Sequence, residues 1–105
     1  MSRISTHVLN TVTGKPAAGV RVHLYSGEEK VNSDLTNSDG RCPNLLPDNL
    51  PLKKGDYSLQ FETDGLFDTC FYPKVTIKFR IDGPSWDYHV PLLISPFGYT
   101  TYRGS

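Results

Sequence analysis

The 105 residues of the chain have a mass of 11.7 kDa, which suits one small domain. Its 11 basic side chains balance 11 acidic ones, and the isoelectric point is about 6.8. This balance argues against nucleic acids and anionic membranes as partners, because proteins that bind them carry a cationic excess. No apolar stretch approaches the roughly 18 residues of a membrane helix. We therefore expect a single domain over residues 1–105 that binds neither nucleic acid nor membrane.

Alternation of apolar and polar residues with a period of two is the main pattern along the chain, and it predicts β-strands with one buried face. The runs that alternate, or that are rich in β-branched and aromatic residues, are in chain order 4–12, 20–25, 57–62, 75–81, 87–94 and 98–103. Clusters of turn residues separate them. Residues 43–54 contain three prolines and are predicted to form an irregular loop. The best candidate for a helix is a short one at 65–70.

Seven or eight short strands joined by turns predict an all-β fold of two stacked sheets, a β-sandwich. A sandwich of this size leaves edge strands exposed, and self-association commonly covers such edges. The strand pattern alone leaves both a monomer and an oligomer open.

The three histidines His7, His23 and His89 are the first candidates for chemistry. On strand parity, His7 and His89 lie on the faces opposite the apolar residues of their strands. Each histidine taken alone is more typical of a structural residue than of a catalytic one. Their spacing contains neither the HxH nor the HxxxH pattern, which disfavours a zinc site. Arg41 follows a turn sequence at 37–40, and a solvated arginine is its default interpretation.

The remaining candidates are weaker. Cys42 and Cys70 are too few for a disulfide scaffold and have no neighbouring His or Lys that would favour a thiolate. Asp64 and Asp68 have helical spacing, which a solvated short helix explains better than acid–base chemistry. The tail at 99–105 follows a strand pattern so closely that Ser105 is expected to be held in a fixed place.

Three segments together resemble the transthyretin-like protein family. They read HVLNTVTGKPA at 7–17, TNSDGR at 36–41 and YHVPLLISPFGYTTYRGS at 88–105. The resemblance covers essentially the whole chain. The Tyr-Arg-Gly-Ser sequence at 102–105 and the histidine that opens the first segment are typical of the enzyme branch, the 5-hydroxyisourate hydrolases, and the hormone carriers lack them.

The resemblance implies an eight-stranded, two-sheet sandwich with one short helix, assembled as a homotetramer with active sites at the interface between dimers. It implies an enzyme of urate degradation that takes a small-molecule substrate, 5-hydroxyisourate, and needs no cofactor or metal. The product of hydrolysis is 2-oxo-4-hydroxy-4-carboxy-5-ureidoimidazoline. Residues 1–7 lack the apolar segment of a secretory signal, which favours the cytoplasm, with the peroxisome as the alternative for a eukaryotic source.

Carried over by position, the catalytic residues of the family fall on His7, His89 and Ser105. The substrate-binding residues fall on His7, Arg41 and Tyr102. We hypothesise that His7, oriented by Ser105, polarises the attacking water. Arg41 would stabilise negative charge, His89 would position the substrate and supply a proton, and Tyr102 would line the pocket.

One position departs from the family, whose members usually carry His-Tyr-His where this chain has Asp87, Tyr88 and His89. Either Asp87 changes the charge near the site, or it lies in solvent at the edge of the strand.

Two other classes of function compete with the enzyme. A carrier for a small aromatic ligand would have no need of two histidines and an arginine. A purely structural sandwich domain predicts that removal of Gly104 and Ser105 is harmless.

Overall fold

The computed structural model describes residues 3–47, 50–83 and 87–105. Within them the chain forms eight strands: β1 Arg3–Asn10, β2 Lys15–Pro16, β3 Arg21–Ser26, β4 Glu29–Leu35, β5 Gly55–Glu62, β6 Lys74–Ile81, β7 Asp87–Ser95 and β8 Gly98–Thr101. The predicted all-β sandwich is confirmed. The pattern did not single out β4, because only Val31 and Leu35 in this strand are apolar.

The strands form two four-stranded sheets, in the orders β2-β1-β7-β8 and β4-β3-β5-β6. In the first sheet β1 and β7 run parallel, whereas the other neighbours are antiparallel. The register of the parallel pair places Ser5 opposite His89 and His7 opposite Pro91. The two strands that carry the candidate histidines are therefore direct neighbours at the centre of this sheet.

The core lies between the two sheets and takes every second residue of the long strands. Its fully buried side chains include Val8 from β1, Leu92 from β7, and Leu24, Leu59 and Phe61 from the second sheet. Since successive side chains of a strand point to opposite faces, the residues between them point away from the core. The outer face of the first sheet consequently carries the half-buried side chains of Ser5, His7 and His89.

The short helix predicted at 65–70 is wrong, because this segment forms a turn followed by bends. Gly65 has a φ of +88°, which lies outside the right-handed helical region. The thiol of Cys70 and the backbone N–H of Leu66 both bond to the carbonyl of Thr63, which closes a local loop. Six residues also offer too few hydrogen bonds to offset the cost of helix nucleation. Asp64 and Asp68 therefore do not share a helix face.

The irregular loop predicted at 43–54 is confirmed over its described residues, 43–47 and 50–54, and the rest of that segment lies outside them. Leu45 is buried and anchors this loop to the core. In the described part of the chain we find no helix of the length and hydrophobicity needed to cross a membrane.

Candidate active site

The turn at 37–40 places Arg41 beside His7 on β1. The side-chain oxygen of Asn37 accepts a hydrogen bond from the backbone N–H of Arg41 at 3.1 Å, which closes the turn. Gly40 has a φ of +75°, and its carbonyl accepts a hydrogen bond from the Val8 N–H at 2.8 Å. The backbones of His7 and Arg41 consequently form an antiparallel bridge.

His89 is held from two sides, by β1 and by the tail of the chain. The hydroxyl oxygen of Ser5 lies 2.8 Å from Nδ1 of the His89 ring. On the other side, the backbone N–H of Gly104 donates to the His89 carbonyl at 2.8 Å. A Cβ on Gly104 would overlap the His89 ring at Cδ2. Only glycine lets the tail lie this close to the imidazole.

A cavity of about 730 Å³ opens between the outer face of β1 and β7 and the loop that follows Arg41. Arg41, His89 and Ser105 line it, together with Ser5, Asn37 and Cys42. Three of the five predicted site residues therefore meet at one cavity. His7 lies next to them through its backbone bridge to Arg41, but it is not among the lining residues of this single chain.

Tyr102 lies apart from that cavity and is 57% exposed. It lines a second cavity of about 320 Å³ between the edges of the two sheets, whose other walls include Phe79, Tyr88 and Arg103. His89 borders both cavities. The contact of Tyr102 with substrate stays a prediction.

The surroundings of His89 favour its neutral form. Burial lowers the pKa of His89 below the usual value for a histidine, and repulsion from Arg41 and from the protonated form of His7 lowers it further. Asp87 acts in the opposite direction and is the weakest of these influences. Around neutral pH the imidazole therefore carries one proton, which it can donate from one nitrogen while the other accepts.

Asp87 lies at the rim of the larger cavity. Its carboxylate pairs with the Arg3 guanidinium at 3.4 Å, and the two side chains are 53% and 77% exposed. An exposed pair of this kind adds little to stability. Both interpretations of Asp87 therefore hold in part, because its carboxylate is in solvent and also acts on the charge of His89.

Replacing Asp87 with asparagine is expected to lower the pKa of His89 further. A nearby carboxylate favours the protonated imidazole, so its removal disfavours that form. Titration of the His89 ring by NMR would measure the change. Asp64→Asn is the control, because Asp64 lies in the turn after β5 and is not among the charges that act on His89. A rise in the His89 pKa would contradict this account.

Cys42 lines the larger cavity but does not supply a nucleophile. Burial, reinforced by the charge of Asp34, raises the pKa of its thiol to about 12. The thiol therefore stays protonated at neutral pH, in line with the prediction from the sequence.

His23 lies on β3 in the second sheet, where its Nε2 contacts the Glu62 carboxylate. It is thus separated from His7 and His89 by the core. Among the residues that the structure describes, no cluster of three or more His, Cys, Asp or Glu side chains is arranged to hold a metal ion.

Reasoning from the sequence missed Ser5 and the structural reason for Gly104. The contact of Ser5 with His89 can be recognised only from the register of the parallel β1–β7 pair, because the two residues are 84 positions apart in the sequence. Gly104 belongs to the Tyr-Arg-Gly-Ser sequence at 102–105, but its closeness to the His89 ring depends on the path of the tail.

A sequence model of the HIUase/Transthyretin family matches residues 4–104. The chain belongs to this family. The HIUase/Transthyretin family resemblance noted in the sequence is thereby confirmed.

Both 5-hydroxyisourate hydrolases and transthyretins within the HIUase/Transthyretin family are similar to this chain. The 5-hydroxyisourate hydrolase of Deinococcus radiodurans is 43% identical over 97% of this chain and 95% of its own length. The structure of Klebsiella pneumoniae 5-hydroxyisourate hydrolase superposes with a TM-score of 0.87 at 37% identity, covering 99% of this chain and 100% of that one. Sea bream transthyretin in complex with thyroxine gives 0.85 at 25% identity, over 94% and 92% of the two chains. The hydrolases and the transthyretin share the fold of this chain, whereas its sequence identity is higher to the two hydrolases than to the transthyretin.

Proposed function

We propose that this protein is an enzyme of urate degradation that hydrolyses 5-hydroxyisourate to 2-oxo-4-hydroxy-4-carboxy-5-ureidoimidazoline. The observation that carries this proposal is the convergence of Arg41, His89 and Ser105 on one cavity in a chain similar to named 5-hydroxyisourate hydrolases. A cationic side chain beside a neutral imidazole suits the opening of a polar ring better than the retention of an apolar ligand.

The reaction sets three requirements for the site. The oxygen of water must bond to a ring carbonyl carbon, and the water must lose a proton. The carbonyl oxygen becomes negatively charged and needs a hydrogen-bond donor or a cation beside it. The C–N bond then breaks, the nitrogen takes up a proton, and the former carbonyl becomes a carboxylate.

The described residues supply a group for each requirement. His7 accepts the proton of water, since histidine is the side chain best suited to exchange protons at neutral pH. Arg41, always charged and planar, holds the carbonyl oxygen. His89, which lines the same cavity, donates its proton to the leaving nitrogen. No covalent intermediate is required, because each step transfers only protons and water.

Ser105 and Tyr102 have less defined parts in this proposal. Ser105 lines the cavity with Arg41 and His89, and its orientation of His7 stays a prediction. We assign Ser105 to shaping the polar end of the cavity, and Tyr102 to the wall on the other side of His89.

The proposal includes a homotetramer with the sites at the interface between dimers. The edge strand β8, whose residues are largely exposed, and the open face of β1 and β7 support it. The mass in solution tests it, since a tetramer has four times the 11.7 kDa of the chain. The cytoplasmic location expected from the sequence stays a prediction.

Freshly prepared 5-hydroxyisourate is expected to lose its ultraviolet absorbance faster with the protein than without it. The decay should be first order in protein and should yield the ring-opened carboxylate, which chromatography can identify. A spontaneous decay in buffer and a heat-denatured sample are the controls. Saturable binding of the compound with an unchanged rate of decay would favour the carrier and contradict the enzyme.

A further inference from the structure

We infer that Ser5 is a positioning residue for His89, and that its hydroxyl keeps the His89 proton on Nε2, the nitrogen that serves the substrate. The inference deepens the proposed function, on which it rests for the meaning of His89. It assigns no contact between Ser5 and substrate.

The register of the parallel strands makes this contact. Ser5 on β1 is the direct partner of His89 on β7, and both side chains lie on the outer face of the sheet. The Ser5 oxygen is 2.8 Å from Nδ1 of His89, a normal hydrogen-bond length. Both strands are anchored in the core by their alternate residues, so the pair is held by the sheet itself rather than by a loop.

The direction of the hydrogen bond decides which ring nitrogen of His89 carries the proton. Ser5 has one hydroxyl hydrogen, and within the described residues its oxygen bonds to nothing other than His89. If the hydroxyl donates to Nδ1, its hydrogen is used and the ring proton resides on Nε2. If Nδ1–H donated instead, the hydroxyl hydrogen would have no acceptor among the described residues, so each direction leaves one hydrogen unpaired. We assign the first, because it places the unpaired hydrogen on Nε2, the ring nitrogen away from Ser5, where the leaving nitrogen of the substrate can accept it.

The rest of the ring is also constrained. A Cβ added to Gly104 would meet Cδ2, Cγ and Cβ of His89, so the tail runs close beside the ring, and the Gly104 N–H donates to the His89 carbonyl. Nε2 has no hydrogen-bond partner among the described residues and belongs to a side chain that lines the larger cavity. Ser5 and Gly104 therefore fix opposite sides of the imidazole and leave Nε2 available for the substrate.

Without the Ser5 hydroxyl, the His89 ring has no fixed orientation and no preferred nitrogen for its proton. The terminal torsion of histidine has two broad wells about 180° apart, and a neutral imidazole can hold its proton on either nitrogen. A substrate that needs a donor would then meet a mixture of orientations and protonation patterns. We expect the resulting loss to fall on turnover, because the Ser5 hydrogen bond acts on the proton donor His89.

The decisive measurement is nitrogen NMR of the His89 ring in the wild-type protein, which distinguishes protonated from unprotonated nitrogens without substrate. We expect the proton on Nε2 and an unprotonated Nδ1 in the wild type, and a mixture of both forms in Ser5→Ala. A proton on Nδ1 in the wild type would overturn the inference. This readout is independent of the proposed function, which fails separately if the wild type leaves 5-hydroxyisourate untouched.

Kinetics supply the second readout. Ser5→Ala is expected to lose about tenfold in kcat, the loss that corresponds to one hydrogen bond, with KM little changed. Ser5→Thr, which keeps the hydroxyl and suits a strand, should regain most of that loss. Ser58→Ala is the matched control, since Ser58 is a half-buried serine on the second sheet. An unchanged kcat in Ser5→Ala, or an equal loss in Ser58→Ala, would contradict the assigned role.

Discussion

Alanine at His89 or at His7 is expected to lower kcat for 5-hydroxyisourate by about 10²–10⁴-fold, the usual contribution of a general acid or base. His89 lines the cavity beside Arg41, and the backbone of His7 is paired with that of Arg41. Each variant removes the group to which one proton transfer is assigned, and the histidine that stays is already assigned to the other transfer. The initial rate of absorbance decay under saturating substrate measures the loss.

His23→Ala is the control for these two variants. His23 lies on the second sheet and contacts Glu62, so its loss affects stability but leaves the proposed chemistry in place. Thermal unfolding of all three variants separates the two effects. Near-normal turnover in both His7→Ala and His89→Ala would remove histidine from the mechanism.

Alanine at Gly104 is expected to lower kcat by about 10²-fold, because a small displacement of a catalytic group has effects of that size. The new methyl group would occupy the space of the His89 ring, so either the ring or the tail must move. Deletion of Gly104 and Ser105 should remove most of the activity as well. Both changes leave the core untouched, since neither residue is buried.

Gly98→Ala is the matched control, because a Cβ at Gly98 meets only the Ser95 hydroxyl oxygen at 3.8 Å. Kinetics and unfolding temperature should both stay near those of the wild type in this variant. If the tail can be removed with full activity, the protein is better described as a structural sandwich domain, and the part assigned to the Tyr-Arg-Gly-Ser sequence is wrong.

Strand parity was sufficient to predict much of the fold and one property of the site. Alternation along β1 and β7 placed His7 and His89 away from the core, and the burial pattern of both strands confirms this. The same criterion missed β4, whose polar residues form half-buried pairs with β3. It also allowed a helix at 65–70, where a local loop around Thr63 forms instead.

The arrangement of the site could not be predicted from local pattern, because its contacts join distant parts of the chain. Arg41 reaches His7 through a turn whose shape depends on Gly40, and Ser5 reaches His89 through the register of two parallel strands. The family resemblance supplied His7, Arg41 and His89 as candidates. It could not supply the contacts that orient them, since these depend on the three-dimensional packing.

The parallel pairing of β1 with β7 also determines when the protein can become active. These strands are separated by most of the chain, and parallel pairing over such a sequence separation is slow to form. Ser5 and His89 cannot meet on a ribosome until β7 has left the exit tunnel. A nascent chain that ends after β5 contains β1 and β3 but lacks β7, the strand that pairs with β1 and carries His89, so it has no competent catalytic face. Activity in this protein is a property of the finished fold.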